Sequence, residues 1–253
     1  MGAGHGHVGV HGHSVVHRLP AQVKIVALVA FVFTVVLTPR EVFWAFAVYA
    51  ALLAVVVAIA GLPPSLVIRR MVVEVPFLVF ALLLPFVSQG PQVEFLGMTV
   101  SESGLLAAWN LLAKGTLGVV AAIILAATTP SRDLLVGLQR LHLPPLLVEI
   151  ATFMVRYLEV VGGEMRRMRI ARESRGFHAS NLGHLRIVAQ SAGALFIRSY
   201  ERGERVHLAM LSRGYTGSLP MLDARPATAS AWATAAVLPA AAFMTATAAW
   251  IAS

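Results

Sequence analysis

Two sets of residues in this chain could do chemistry. The first is a row of imidazoles near the N-terminus: "MGAGHGHVGVHGHSVVH" places histidines at 5, 7, 11, 13 and 17, separated mostly by Gly and Val. Imidazoles on such a tract suit nickel, cobalt, copper or zinc. The leader, residues 1–19, is therefore read as a weak divalent-metal recruiter through His5, His7, His11 and His13; the competing reading is a tract with no part in the protein's main task. The second set is a repeated cationic helix ending. "RIARESRGF" and "HLAMLSRGYTG" both contain Ala-x-x-Ser-Arg-Gly-aromatic, at 171–177 and again 38 positions later at 209–215.

Ser-Arg-Gly-aromatic is first of all a way to stop a helix. Gly176 and Gly214 are free to adopt the left-handed conformation after the cap, Phe177 and Tyr215 to fold back on the last turn, and Arg175 and Arg213 to favour the negative end of the helix dipole. One copy would be a helix stop and nothing more. Two copies suit a partner that is itself a dimer, because matched ends can engage two equivalent grooves. In each copy Ala171 or Ala209 shares a helix face with its arginine, and a small residue there admits close approach.

Other chemistry finds little support. Histidines 142, 178, 184 and 207 are scattered, with no HExxH or G-x-S-x-G among them, and "LAKGT" at 112–116 lacks the first glycine of a phosphate-binding loop. A membrane enzyme and a basic membrane anchor are the other classes weighed; neither explains the doubled motif. The chain has no cysteine, so disulfides and thiolate metal sites are excluded.

The elements that must carry the motifs lie in a membrane. Of 253 residues, 58% are hydrophobic and 13% charged, more apolar surface than a soluble domain of this length hides. The apolar runs at 21–38, 42–60, 72–88, 105–128 and 227–252 predict about five transmembrane helices, four of them within 20–128 and the last within 227–253. A second span follows the first at once, so no cleaved signal peptide is expected. Pro76, Pro85 and Pro239 are expected to mark kinks. Lys114 falls inside the fourth span, where a charge is costly; it is expected to meet another helix, with Glu74 as a candidate partner, or a neighbouring subunit.

Residues 129–226 are different. Ser131 and Asp133 suit a helix start, leucines 134, 135, 138 and 141 form a stripe, and Pro144-Pro145 ends it. From 164 to 225 there are eleven arginines against five acidic residues, predicting a basic helical domain inserted before the last span. Placing the N-terminus in the cytoplasm puts eighteen of the twenty Lys and Arg residues inside, leaving Arg40 outside and Lys114 within the bilayer. The net charge of +8 is read through this rule rather than as a nucleic-acid footprint.

At "TTPSRDLLVGLQRLHLPPLL", "RYLEVVGGEMRRMRIARESRGF" and "VHLAMLSRGYTG" the chain resembles the T components of energy-coupling factor (ECF) transporters, in the cobalt-type branch called CbiQ. The likeness is close over 128–217 and looser over 18–250. It implies an all-α integral membrane scaffold without catalytic residues or a cofactor of its own. Its partners would be an ATP-binding cassette ATPase dimer, which binds the ATP, and a substrate-binding membrane subunit. Arg175 and Arg213 would contact the ATPases, with Ala171, Gly176, Ala209 and Gly214 shaping the two ends. Cobalt is the expected cargo, then nickel, then a vitamin.

Overall fold

The computed structural model describes residues 14–88, 91–95, 98–177, 185–217 and 227–252. The His5–His13 tract lies outside them, as do His178 and His184. Helices dominate, and the chain divides into two compact units, one of Met1–Gly137 with Arg225–Ser253 and one of Leu138–Ala224.

In the first unit a short helix α1 (Val15–Arg18) leads into α2 (Ala21–Leu37) and α3 (Phe43–Ala60). The next span starts earlier than its hydropathy suggests. Helix α4 (Pro64–Arg70) passes through a 3₁₀ turn at Met71–Glu74 into α5 (Val75–Val87). The break falls where Pro76 withholds its N–H and disfavours helical geometry in the residue before it. A β-hairpin follows, β1 (Gln92–Phe95) pairing antiparallel with β2 (Met98–Ser101), between the apolar runs expected at 72–88 and 105–128. Then come α6 (Glu102–Thr128) and, after the second unit, α10 (Ala229–Ala252). The spans at 43–60, 64–87, 102–128 and 229–252 are long and apolar enough to cross a membrane; α2 is equally apolar but has 17 residues, about 26 Å of rise.

The core joins Phe31 and Val35 of α2, Tyr49 and Leu53 of α3, Ala121 and Ile124 of α6, and Ala242 and Ala249 of α10. Large apolar residues such as Phe33, Leu83, Phe86 and Phe243 point outward, as they must where the solvent is lipid. Alanines 235, 242, 246 and 249 are the buried residues of α10, so close backbone approach replaces the hydrophobic effect as the packing force. Gly104 is equally constrained: a Cβ there would sit 2.7 Å from Pro85 Cα, fixing how closely α6 meets α5.

Lys114 does not bond Glu74. Its ammonium donates to the Val36 and Thr38 carbonyls at 2.7 and 3.0 Å, while the Glu74 carboxylate accepts from Thr116 Oγ1. The reason is that the last carbonyls of a helix lack intrahelical partners and cannot turn to water inside a bilayer. Trp250 Nε1 takes the intervening Leu37 carbonyl at 3.2 Å. The opposite end mirrors this arrangement, with Lys24 on α2 donating to the Thr128 carbonyl of α6 at 3.0 Å and to Thr129 Oγ1 at 3.1 Å. Two antiparallel helices thus each lend a lysine to the other's C-terminus.

The second unit holds the end of α7 (Ser131–Arg140), α8 (Pro145–Glu173) and α9 (Leu185–Leu211). Ser131 is the first residue of α7 rather than a cap preceding it. Pro145 opens α8 at its first position, where the missing N–H costs nothing.

Candidate functional site

Both copies of the repeated motif end a helix with the same bonds. At the first, Gly176 (φ 76°) donates to the Glu173 carbonyl at 3.0 Å and Phe177 to the Arg172 carbonyl at 3.1 Å. At the second, Gly214 (φ 84°) donates to Leu211 at 3.0 Å and Tyr215 to Met210 at 3.1 Å. These are the two bonds of a Schellman ending. The serines match as well: Ser174 Oγ donates to the Ala171 carbonyl at 3.1 Å, and Ser212 Oγ to Ala209 at 3.0 Å.

The turn alone marks no site, because α3 ends the same way at Gly61 (φ 64°) and α7 at His142 (φ 61°). What sets the two motif ends apart is the residue at the cap. Arg175 and Arg213 are exposed, as are Ala171, Gly176, Ala209 and Gly214. Neither arginine is engaged in an ion pair or side-chain hydrogen bond among the described residues, whereas Arg169, Arg202 and Arg205 are paired with Glu173, Glu164 and Glu201. Each tip therefore offers a planar five-donor cation on a rigid ending, flanked by an alanine and a glycine that leave room for a partner.

The two tips are not brought together. Three side-chain pairs link the helices that bear them: Arg172 to Ser191, Glu164 to Arg202, and Glu149 to Tyr215. Position rises along α8 as it falls along α9, so the helices run antiparallel. Glu164 and Arg202 are separated by the same 38 positions as the two motifs. This pair consequently occupies equivalent places in the two arms, and a pseudo-two-fold axis passes through it. Each arginine follows its crossing residue by eleven positions, about 16 Å of helix, which sets the tips up to roughly 33 Å apart at opposite ends.

The ends differ in how they are tied down. Tyr215 donates its hydroxyl to Glu149, a carboxylate only 6% exposed. That hydrogen bond, then loss of solvent, then the Glu149 charge push the Tyr215 phenol above its ordinary value. Neither the Glu164–Arg202 crossing nor this tether was read from the sequence. The crossing had a signal, an acid and a base at the repeat's own offset; the tether had none, because Glu149 and Tyr215 are 66 positions apart.

The family profile described as "Cobalt transport protein", CbiQ, matches residues 12–222. The chain belongs to the CbiQ family. Among its relatives, the cobalt transport protein CbiQ of Rhodobacter capsulatus is 32% identical over 131 residues, which are 52% of this chain and 54% of that one. The energy-coupling factor transporter transmembrane protein EcfT of Bacillus selenitireducens is 28% identical over 82% of both chains. The nickel permease LarQ of Lactiplantibacillus plantarum is 33% identical over 90 residues, 36% of this chain and 33% of its own length. The match to the first of these CbiQ-family relatives spans about half of that protein's length.

Proposed function

We propose that this chain is the transmembrane T component of an ATP-driven ECF importer. In this role Arg175 and Arg213 dock into the grooves of two ATPase subunits and pass their closure to a separate substrate-binding membrane subunit. The observation that carries the reading is the pair of bond-for-bond identical helix ends, each presenting an uncommitted arginine, disposed about a pseudo-two-fold axis in one antiparallel helix pair. A two-fold ATPase dimer has the matching symmetry. Family membership and the likeness to EcfT proteins support the same role.

Cobalt is the proposed cargo, on the family description; the likeness to a nickel permease favours nickel as the second reading. The charge distribution supports an N-terminus and an arginine-rich unit in the cytoplasm, with the chain crossing the cell membrane several times. A reporter fused at residue 96 then reads external and one at 180 cytoplasmic.

The docking test is Arg175→Glu combined with Arg213→Glu. The double variant inserts normally and no longer co-purifies with its cognate ATPase. Each single change weakens capture without abolishing it, because two tethered contacts act multivalently. Full retention by the double variant refutes the docking role.

A further inference from the structure

Helices α3 and α10 meet where Tyr49 donates to the Ala242 carbonyl at 3.4 Å. Toward the Lys24 end of the bundle, α2, α3, α6 and α10 surround a cavity of about 410 Å³, with α1 contributing to its wall. Apart from Lys24, Thr128 and Thr234 its lining is entirely apolar. The exposed lining residues show where it opens: Val15 on α1 is 59% exposed, Val55 and Ile59 on α3 are 56% and 52%, and Thr234 and Val237 on α10 are exposed as well. The mouth is therefore bordered by α3 and α10 on the lipid side and reaches α1 beside Lys24.

We propose that this cavity holds one acyl chain of an acidic phospholipid. Water gains nothing in an apolar hollow at membrane depth. A spanning helix, about 10–12 Å across and about 30 Å long, is far larger than this cavity, so a partner helix lies across its mouth at most and does not fill it. A single hydrocarbon chain has no such limit.

The acidic headgroup follows from charge. The Lys24 ammonium, at the cavity's end, donates to neutral oxygens, those of Thr128, Thr129 and the His17 carbonyl at 3.5 Å. Asp133 acts on it electrostatically, yet no carboxylate lies within ion-pair distance of it among the described residues. Exposed Arg18 adds a second cation next to Leu19, which also lines the cavity. A phosphodiester at the α1 end of the opening, beside Lys24 and Arg18, supplies the missing negative charge. Under the orientation proposed above the lipid belongs to the cytoplasmic leaflet; only the choice of leaflet rests on that reading.

The test uses the full chain alone, so its outcome is independent of ATPase docking. In native mass spectrometry of protein exchanged into phosphatidylglycerol, one lipid per chain survives collisional activation. Phosphatidylcholine with the same chains is retained at least about fivefold less. Ala27→Phe with Ala241→Leu, two substitutions that fill the cavity, removes the adduct, and Arg18→Gln narrows the difference between the two lipids. Equal retention of both lipids, or an adduct indifferent to filling, overturns the proposal. Should the filled variant fail to fold, phosphatidylglycerol carrying a diazirine in its chain decides the matter in the unaltered protein. Crosslinks concentrated on Leu52, Val56 and Leu238 uphold the site, and crosslinks spread evenly over the lipid-facing surface overturn it.

Discussion

The Glu164–Arg202 pair is the most exacting test of the antiparallel arrangement, because its loss must act on both arms at once. The Glu164 side chain is 14% exposed and that of Arg202 39%. Fully exposed pairs contribute about 0.2–1 kcal/mol, and hydrogen bonds to charged groups about 1.5–3. A half-shielded pair at the crossing should fall between, at about 1–2 kcal/mol, or roughly a 5–30-fold change in an opening equilibrium. Arg202→Ala should therefore raise amide exchange around both 164 and 202 by that factor. Glu164→Ala should do the same, and the double variant should be no worse than the more damaging single, since both remove one shared interaction. Exchanging the two charges, Glu164→Arg with Arg202→Glu, should recover much of the protection. Faster exchange on one arm only, or additive single effects, would refute the placement of this pair on the pseudo-two-fold axis.

Gly176→Ala and Gly214→Ala should each cost about 1–2 kcal/mol, because the φ angles are 76° and 84° and an L residue there is strained even though a Cβ meets nothing within 4 Å; faster exchange confined to the last turn of the altered helix, with ATPase capture reduced, is the expected readout. Tyr215→Phe should loosen the second tip alone, seen as faster exchange near 210–215 with 172–177 unchanged. Because the Tyr215 phenol is raised in the folded chain, its tether is complete while the phenol keeps its proton and is lost as pH climbs past the ordinary phenol range near about 10; ultraviolet difference titration should show this tyrosine ionising late, and Glu149→Gln should bring it back toward the others. Lys114→Met should cost about 1–3 kcal/mol by leaving the Val36 and Thr38 carbonyls without their donor, measured as a lower midpoint of detergent-solubilised unfolding, whereas Glu74→Gln should leave the Lys114 contacts intact.

What could be read ahead of the structure was whatever a local pattern encodes. Apolar length gave the spans, Gly at a helix end gave its left-handed turn, and the doubled Ala-x-x-Ser-Arg-Gly marked two equivalent tips. The partner of Lys114 was not legible because a lysine in a span looks for a carboxylate in sequence terms, while in space the nearest unmet need was a helix C-terminus. Backbone carbonyls carry no sequence signature. The hairpin at 92–101 escaped for a related reason: its strands are four residues each, too short for alternation to stand out against neighbouring apolar runs. The break at Met71–Glu74 divides one apolar stretch into α4 and α5, and hydropathy sees only its more apolar half.

The pseudo-two-fold axis also shows where the equivalence of the tips ends. Moving Glu149 and Tyr215 by the 38-residue offset gives Ile187 and Phe177. The second tip is thus held by a hydroxyl–carboxylate bond, Tyr215 to Glu149, which the apolar Ile187 and Phe177 do not reproduce at the first; there Arg172, three residues before Arg175, donates to Ser191 instead. The turns are identical and the anchorage is not. Force applied at the Arg213 end is carried into the start of α8 through Tyr215 and Glu149, and force at the Arg175 end into the start of α9 through Arg172 and Ser191, with the Glu164–Arg202 crossing between them. On that reasoning Tyr215→Phe with Glu149→Ile removes the tether peculiar to the second tip and, with docking as proposed, changes the loss in ATPase capture caused by Arg213→Glu while leaving the loss caused by Arg175→Glu as it was. An Arg213→Glu loss unchanged by removing the tether would show that the tether does not reach the docking step.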